Sequence, residues 1–364
     1  MKTTWKIAVI LPVAATLGCF SCKSSTSSDA PVESSAATAE KSAPKKDRVL
    51  TLGAYTTPRE VYGKKIIPEF KAYWKKKTGE SIEIRESYLG SGAQSRAIVG
   101  GFEADIAALS LEPDIERLVK AGLVDASWKG GPTQGMVTRS VVVFGVRKGN
   151  PLGVATWDDL AKPDRKVLTP NVKTSGGAMW NIAAMFGAAF RGHTAVPAND
   201  EAASKSLIAK VLANVEIMDK GARESMLTFE NGVGDIIITY ENEMRVAAKM
   251  GKDNGYVVPP STILIENPIA VVSKYAKAHG TEDVAAAFVE FVLRPEIQRY
   301  FAEYGLRPVD ESAAKELLAD FPALKDVFTV RDFGDWAELT PRLFAPGGLY
   351  DQAAQEAQEA GASK

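Results

Sequence analysis

The chain has 364 residues, 45% hydrophobic and 24% charged, which is enough apolar material for a large core and a length that favours two domains over one. Its 44 Lys and Arg nearly balance 45 Asp and Glu, so a net charge of -1 advertises neither nucleic acid nor an acidic membrane surface as a partner. Any affinity for an anion has to be local.

Lys2 and Lys6 precede an apolar run over residues 7–18 that is too short to stay in a membrane as a spanning helix. Small residues and a cysteine follow, which is the layout of a secretory signal, here residues 1–22. The protein is therefore expected to be exported, to the periplasm or the outer face of a membrane. Both cysteines of the chain, Cys19 and Cys22, lie beyond this run, so the mature domain has no disulfide framework and no thiolate metal site. Thr16-Leu17-Gly18-Cys19 resembles a bacterial lipoprotein cleavage site with its aliphatic residue one place late, and Cys22 after Phe20-Ser21 fits less well. A lipid anchor on Cys19 is the expectation. Residues 23–47 are rich in Ser, Ala, Lys and Pro and read as a flexible tether.

The first strand is expected at Val49-Leu50-Thr51-Leu52, and Thr57-Pro58-Arg59-Glu60 after it reads as a capping box. Tyr62, Ile66, Phe70, Tyr73 and Trp74 recur at helical spacing, with Pro68 as a kink. A strand over 81–85 leads through Tyr88-Leu89-Gly90-Ser91-Gly92 into a short helix over 93–99, and a strand at 104–109 precedes a helix at 113–121. The β-branched run 137–146 is long enough to pass from one domain to the next.

An apolar pair, Val167-Leu168, then ends in Thr169-Pro170-Asn171, and Lys173-Thr174-Ser175-Gly176-Gly177-Ala178-Met179-Trp180-Asn181 opens a helical pattern. The unpaired N–H groups and positive pole of a helix start can hold an oxyanion without any cation, so this turn is a candidate anion seat. The same junction recurs after the strand 215–218, where Lys220-Gly221-Ala222-Arg223-Glu224 begins another helix. A strand at 235–239 ends at Tyr240-Glu241-Asn242-Glu243, 268–273 is a candidate return to the first domain, and helices are expected over 281–293, 295–304 and 311–318. Strands alternating with helices indicate α/β layers with mostly parallel sheets, whose ligands sit beyond the carboxyl ends of the strands.

Catalytic chemistry is poorly supplied. His193 in Arg191-Gly192-His193-Thr194 and His279 in Ala278-His279-Gly280 are expected at the surface without partners at ligand-like spacing, so zinc sites and Ser-His-Asp catalysis lack their base. Asp158-Asp159 and Glu241 with Glu243 are expected to sit in first helical turns, where carboxylates favour the dipole. No Gly-x-x-x-x-Gly-Lys-Ser/Thr phosphate loop occurs. A binding protein without cofactor or metal is expected, rather than an enzyme.

Several colinear segments resemble the periplasmic sulfate-binding proteins of sulfate/thiosulfate ABC importers. They are Lys77-Thr78-Gly79-Glu80 through Arg85-Glu86-Ser87, Gly90-Ser91-Gly92, Val146-Arg147-Lys148-Gly149-Asn150-Pro151, residues 170–181, Gly221-Ala222-Arg223, Gly234-Asp235 with Glu241-Asn242-Glu243, Arg307-Pro308 and Phe333-Gly334-Asp335-Trp336. The resemblance implies a type II, two-lobed periplasmic binding protein fold, each lobe a mostly parallel sheet flanked by helices, joined by a hinge. It places lobe I at 48–138 and 265–352, lobe II at 139–264, and a C-terminal tail at 353–364. It further implies that a monomer captures sulfate or thiosulfate and delivers it to membrane permease subunits, with no nucleic acid involved. The ligand donors implied are the backbone N–H groups of Thr56, Ser91, Gly176, Gly177 and Ala222 and the Ser175 hydroxyl, with Arg223, Glu241 and Asn242 behind them. Tyr240 stands where the family often has a tryptophan whose indole donates to the ligand, Met179 where it usually has arginine, and Val172 where it has proline. Other tetrahedral oxyanions, namely molybdate, tungstate and phosphate, are the alternative ligands, and an exported ester hydrolase is the rival function.

Overall fold

The structure is a computed structural model that describes residues 48–362. The signal sequence, the tether and both cysteines, Cys19 and Cys22, lie outside the described residues. In chain order, the first half of lobe I runs β1 (Arg48–Tyr55), α1 (Arg59–Val61), a π-helical turn (Tyr62–Ile66), α2 (Ile67–Thr78), β2 (Ile82–Leu89), α3 (Ser91–Val99), β3 (Ile106–Ala108) and α4 (Glu112–Lys120). The long strand β4 (Met136–Val146) leads into lobe II: α5 (Trp157–Leu160), β5 (Val167–Pro170), α6 (Gly176–Phe190), α7 (Glu201–Leu212), β6 (Val215–Asp219), α8 (Ala222–Glu230), β7 (Ile236–Tyr240), α9 (Glu241–Lys249) and β8 (Gly255–Val257). A second long strand, β9 (Ser261–Val271), returns to α10 (Ser273–His279), α11 (Glu282–Val292), α12 (Pro295–Glu303), β10 (Arg307–Pro308) and α13 (Lys315–Leu318). β11 (Asp326–Phe328), α14 (Trp336–Phe344) and α15 (Leu349–Ala362) complete the described chain.

The strand order β2-β1-β3-β9-β4-β7-β5-β6 joins two sheets through the long pair β9 and β4. In lobe I, β2, β1 and β3 are parallel, and β9 closes them antiparallel through Val271, Ala270 and Ile269. In lobe II, β6, β5 and β7 are parallel, and β4 pairs antiparallel to β7 over Val142–Val146. The first half of β4 pairs with β9 instead, so the passage between lobes occurs inside both strands rather than in loops. The expected boundaries at 138/139 and 264/265 fall within them.

The two lobes have separate interiors. Leu50, Leu52, Tyr62, Phe70, Phe288 and Phe301 fill one side of the lobe I sheet, while Ile98, Leu109, Ile115 and Leu118 fill the other. Phe144, Trp157, Trp180, Phe186, Ile236 and Ile238 belong to the main lobe II core. Helix α6 lies at its centre. Thirteen of its 15 residues are buried, as expected for a helix that is apolar all round.

Four expectations are corrected. The capping box at Thr57 to Glu60 does not form: Pro58 takes the N-cap position, and Glu60 instead accepts from Arg223 of lobe II at 2.9 Å. The irregularity around Pro68 takes the form of the π-helical turn that runs without a break into α2, in the turn to which proline has no N–H to donate. Strand β2 continues past Arg85 to Leu89, because each of its residues from Ile82 to Leu89 finds a partner on the eight-residue β1. Residues expected as a C-terminal tail belong to α15, whose Leu349, Ala353 and Ala357 recur at helical spacing in the lobe II core; the small alanines allow a close approach that their low hydrophobicity conceals.

Candidate functional site

Three helices begin with N-caps whose side chains make no capping bond: Gly90 at α3, Ser175 at α6 and Gly221 at α8. Their first N–H groups therefore have no acceptor within the helix. The three starts converge. A Cβ added to Gly90 would lie 2.6 Å from the Thr174 carbonyl oxygen and 2.8 Å from that of Lys220, so lobe I touches both lobe II turns at this point. A Cβ on Gly177 would stand 3.3 Å from the Ala222 Cβ, and one on Gly221 would stand 3.5 Å from Thr56 Oγ1. Thr56, at the end of β1, is the fourth wall. The Ala93 N–H donates to the Thr174 carbonyl at 3.2 Å and Arg96 donates to the Lys173 carbonyl at 2.7 Å, both across the cleft. The lobes are closed on one another.

All seven sequence-predicted ligand residues meet here and all are buried: Thr56, Ser91, Ser175, Gly176, Gly177, Ala222 and Tyr240. Sterics explain the glycines. A side chain on Gly176 would strike Ser110 Oγ at 2.6 Å, and one on Gly177 would strike the Tyr240 ring at 2.8 Å. The Ser91 hydroxyl is already engaged, donating to the buried Asp114 at 2.6 Å and accepting from the Ser110 N–H at 2.9 Å. Asp114 in turn accepts from Arg117 at 2.6 Å. Only the backbone of Ser91 is thus free to face a ligand. The Tyr240 and Ser110 hydroxyls share a hydrogen bond of 2.6 Å, and burial pushes the Tyr240 phenol well above its ordinary pKa, so it keeps its proton.

The residues expected behind the donors are placed differently from one another. Arg223 leaves α8 toward lobe I, 2.9 Å from Glu60 and 3.2 Å from the fully buried Glu243. Burial raises the Glu243 carboxyl to about 7, although Arg223 opposes the shift. Glu241 accepts from Arg307 at 2.8 and 3.2 Å and so ties α9 to β10; burial raises its pKa too. The Asn242 amide is buried and has no hydrogen-bond partner among the described residues. The two histidines stand apart from the cleft. His279 is more than a surface residue: its Nδ1 lies 2.8 Å from the buried Asp105 and its Nε2 lies 3.1 Å from Glu103, and the Asp105 bond raises its pKa. The match of Asp158-Asp159 to a helix start holds, with Asp159 reaching back to the Thr156 N–H at 2.8 Å.

Sequence reasoning missed Ser110, Asp114 and Glu243 as parts of this centre. Ser110 follows a lobe I strand, where ligands of open sheets gather, and that position was the available signal. Asp114 meets Arg117 one helical turn on, but its contact with Ser91, like that of Glu243 with Arg223, joins separate elements and leaves no pattern in the sequence.

The model of the bacterial extracellular solute-binding protein family matches residues 50–307. The chain belongs to this family. Among the relatives of this solute-binding protein, a sulfate-binding protein of Synechococcus elongatus is 42% identical over 308 residues, covering 84% of this chain and 86% of its own. A sulfate-binding protein of Escherichia coli is 40% identical, covering 84% and 93%, and a thiosulfate-binding protein of Escherichia coli is 33% identical, covering 82% and 89%. In structure, the sulfate-binding protein SubI of Mycobacterium tuberculosis matches with a TM-score of 0.75 at 35% identity over 82% of this chain and all of that one. Among the described residues no helix is long and apolar enough to cross a membrane.

Proposed function

We propose that this solute-binding protein captures sulfate, or its close analogue thiosulfate, between its two lobes and passes it to the permease subunits of an ABC importer. The observation that carries the reading is the convergence of three uncapped helix starts and the Thr56 turn on one buried point. The ligand is held by the N–H groups of Thr56, Ser91, Gly176, Gly177 and Ala222 and by hydroxyl donors at Ser175 and Tyr240. Hydrogen bonds to a charged acceptor contribute roughly 1.5–3 kcal/mol each, so about seven of them offset the desolvation of a dianion and the cost of closing the lobes. Because these groups are donors, a fully deprotonated oxyanion suits them, whereas the proton of hydrogen phosphate needs an acceptor. The names of the relatives support the same choice of anion.

The protein binds without catalysing a reaction, works as a monomer, and is held at the outer face of a membrane, or in the periplasm, by a lipid on Cys19. Arg223 braces the α8 turn from behind, and Glu241 and Asn242 support the end of β7. The reading is tested by calorimetry of the mature protein against sulfate, thiosulfate, molybdate, tungstate and phosphate at one ionic strength. Sulfate or thiosulfate should bind tightest; a preference for phosphate or molybdate, or no binding to any of them, would overturn it.

A further inference from the structure

Ser110 makes a polar contact through every group it has. Its N–H donates to Ser91 Oγ at 2.9 Å, and its carbonyl accepts from the Trp180 indole at 2.9 Å and from the Asn267 amide at 3.0 Å. Its hydroxyl meets the Tyr240 hydroxyl at 2.6 Å. One residue of lobe I is therefore bonded to a donor turn of its own lobe, to α6 and β7 of lobe II, and to the crossing strand β9. The side chain is 1% exposed, as is Tyr240.

The proton count of the hydroxyl pair decides what it can do. Two hydroxyls carry two protons, and one is used in the bond between them, whichever residue donates it. Neither oxygen has a further hydrogen-bond partner among the described residues. One proton of the pair is therefore left without a protein acceptor, in a buried position. The pair lies over the first two residues of α6: Ser110 Oγ is the atom that bars a side chain on Gly176, and the Tyr240 ring bars one on Gly177.

We infer that Ser110 and Tyr240 act as one relayed donor, in which their mutual bond directs the remaining hydroxyl proton to the bound oxyanion, making Ser110 a positioning residue of the site. This rests on the sulfate-binding reading above. Hydrogen-bonded chains polarise one another, so a hydroxyl that accepts from its neighbour is a stronger donor to an anion than a lone one. A tyrosine at this position consequently depends on Ser110, whereas an indole N–H would need no such partner.

A double-mutant cycle tests the pair, using Ser110→Ala, Tyr240→Phe and the double variant, with sulfate affinity measured by calorimetry and the near-ultraviolet tyrosine difference spectrum recorded on adding sulfate. Each single variant should bind about fivefold to thirtyfold more weakly, and the double variant about as weakly as the worse single. The sulfate-induced tyrosine signal should vanish in Tyr240→Phe and shrink in Ser110→Ala, a change that a purely structural serine would not produce. Full binding stoichiometry and a two-state melt in each variant identify the folded protein to which these numbers apply. Losses that multiply in the double variant, or Ser110→Ala binding and absorbing like the wild type, would overturn the relay while leaving the sulfate reading intact. A wild-type protein that fails to bind sulfate or thiosulfate would overturn both.

Discussion

The hydroxyl of Ser175 occupies an N-cap without bonding an N–H of its own helix, although serine at that position ordinarily accepts from the second or third helical residue. The residue is only 3% exposed. Ser175→Ala should therefore cost little stability in the absence of ligand, since no cap bond is lost, while sulfate affinity falls by about tenfold to a hundredfold. Calorimetry paired with a ligand-free melting curve separates the two effects; unchanged affinity would remove Ser175 from the donor set. At this scale, the residues readable from the sequence are those that belong to local turns: Ser175, Gly176, Gly177, Ala222 and Ser91 each sit beside a strand end and a helix start. Ser110 was not readable, because what makes it part of the site is a contact from the other lobe, with Tyr240 130 residues away, and Glu243 was not, because its partner Arg223 lies on a different helix.

Elements were legible wherever one lobe decides them. Helices α8, α11 and α12 and strands β6 and β7 lie within a few residues of expectation, because apolar spacing and turn residues both mark them. Misreadings fall where a distant element intervenes, as when Arg223 draws Glu60 out of its capping box. Gly90 belongs to the same class. Its φ of -55° and ψ of 138° are open to any residue, so glycine is required there by space alone, and the space is taken by carbonyls of lobe II. Gly90→Ala should fold normally and yet hold the clamp ajar, since a methyl within 3 Å of two backbone oxygens cannot be accommodated by a rotamer change. Small-angle scattering should show contraction of the wild type on adding sulfate and little or none for this variant, with affinity down by tenfold or more on the scale of overpacking costs of about 1–3 kcal/mol. Contraction equal to that of the wild type would refute this account of Gly90.

The whole molecule is two cores joined through β4 and β9 and tied across the cleft by polar contacts, some of which titrate. Glu243 is fully buried, with the Arg223 guanidinium 3.2 Å away, Glu60 and Glu224 near enough to oppose its charge, and Thr57 beside it. Its carboxyl titrates at about 7 in the folded protein against an ordinary value of 4.5, so between these pH values the native state holds a proton that the unfolded chain has released. Where the native state binds more protons, stability falls as pH rises. The contribution of Glu243 is thus fully present below about pH 4.5 and lost through pH 7, with no further change above. Glu241, whose carboxyl is also raised by burial, adds a slope of the same sign, moderated by Arg307. In Glu243→Gln there is no charge to desolvate, and Arg223 keeps Glu60 as a partner at 2.9 Å. Urea denaturation of this variant should match the wild type near pH 4.5 and exceed it near pH 8, by on the order of 3 kcal/mol if the whole shift is expressed. If the two proteins instead lose stability in parallel between those pH values, Glu243 is ionised throughout, and its ion pair with Arg223 inside lobe II offsets the cost of its burial.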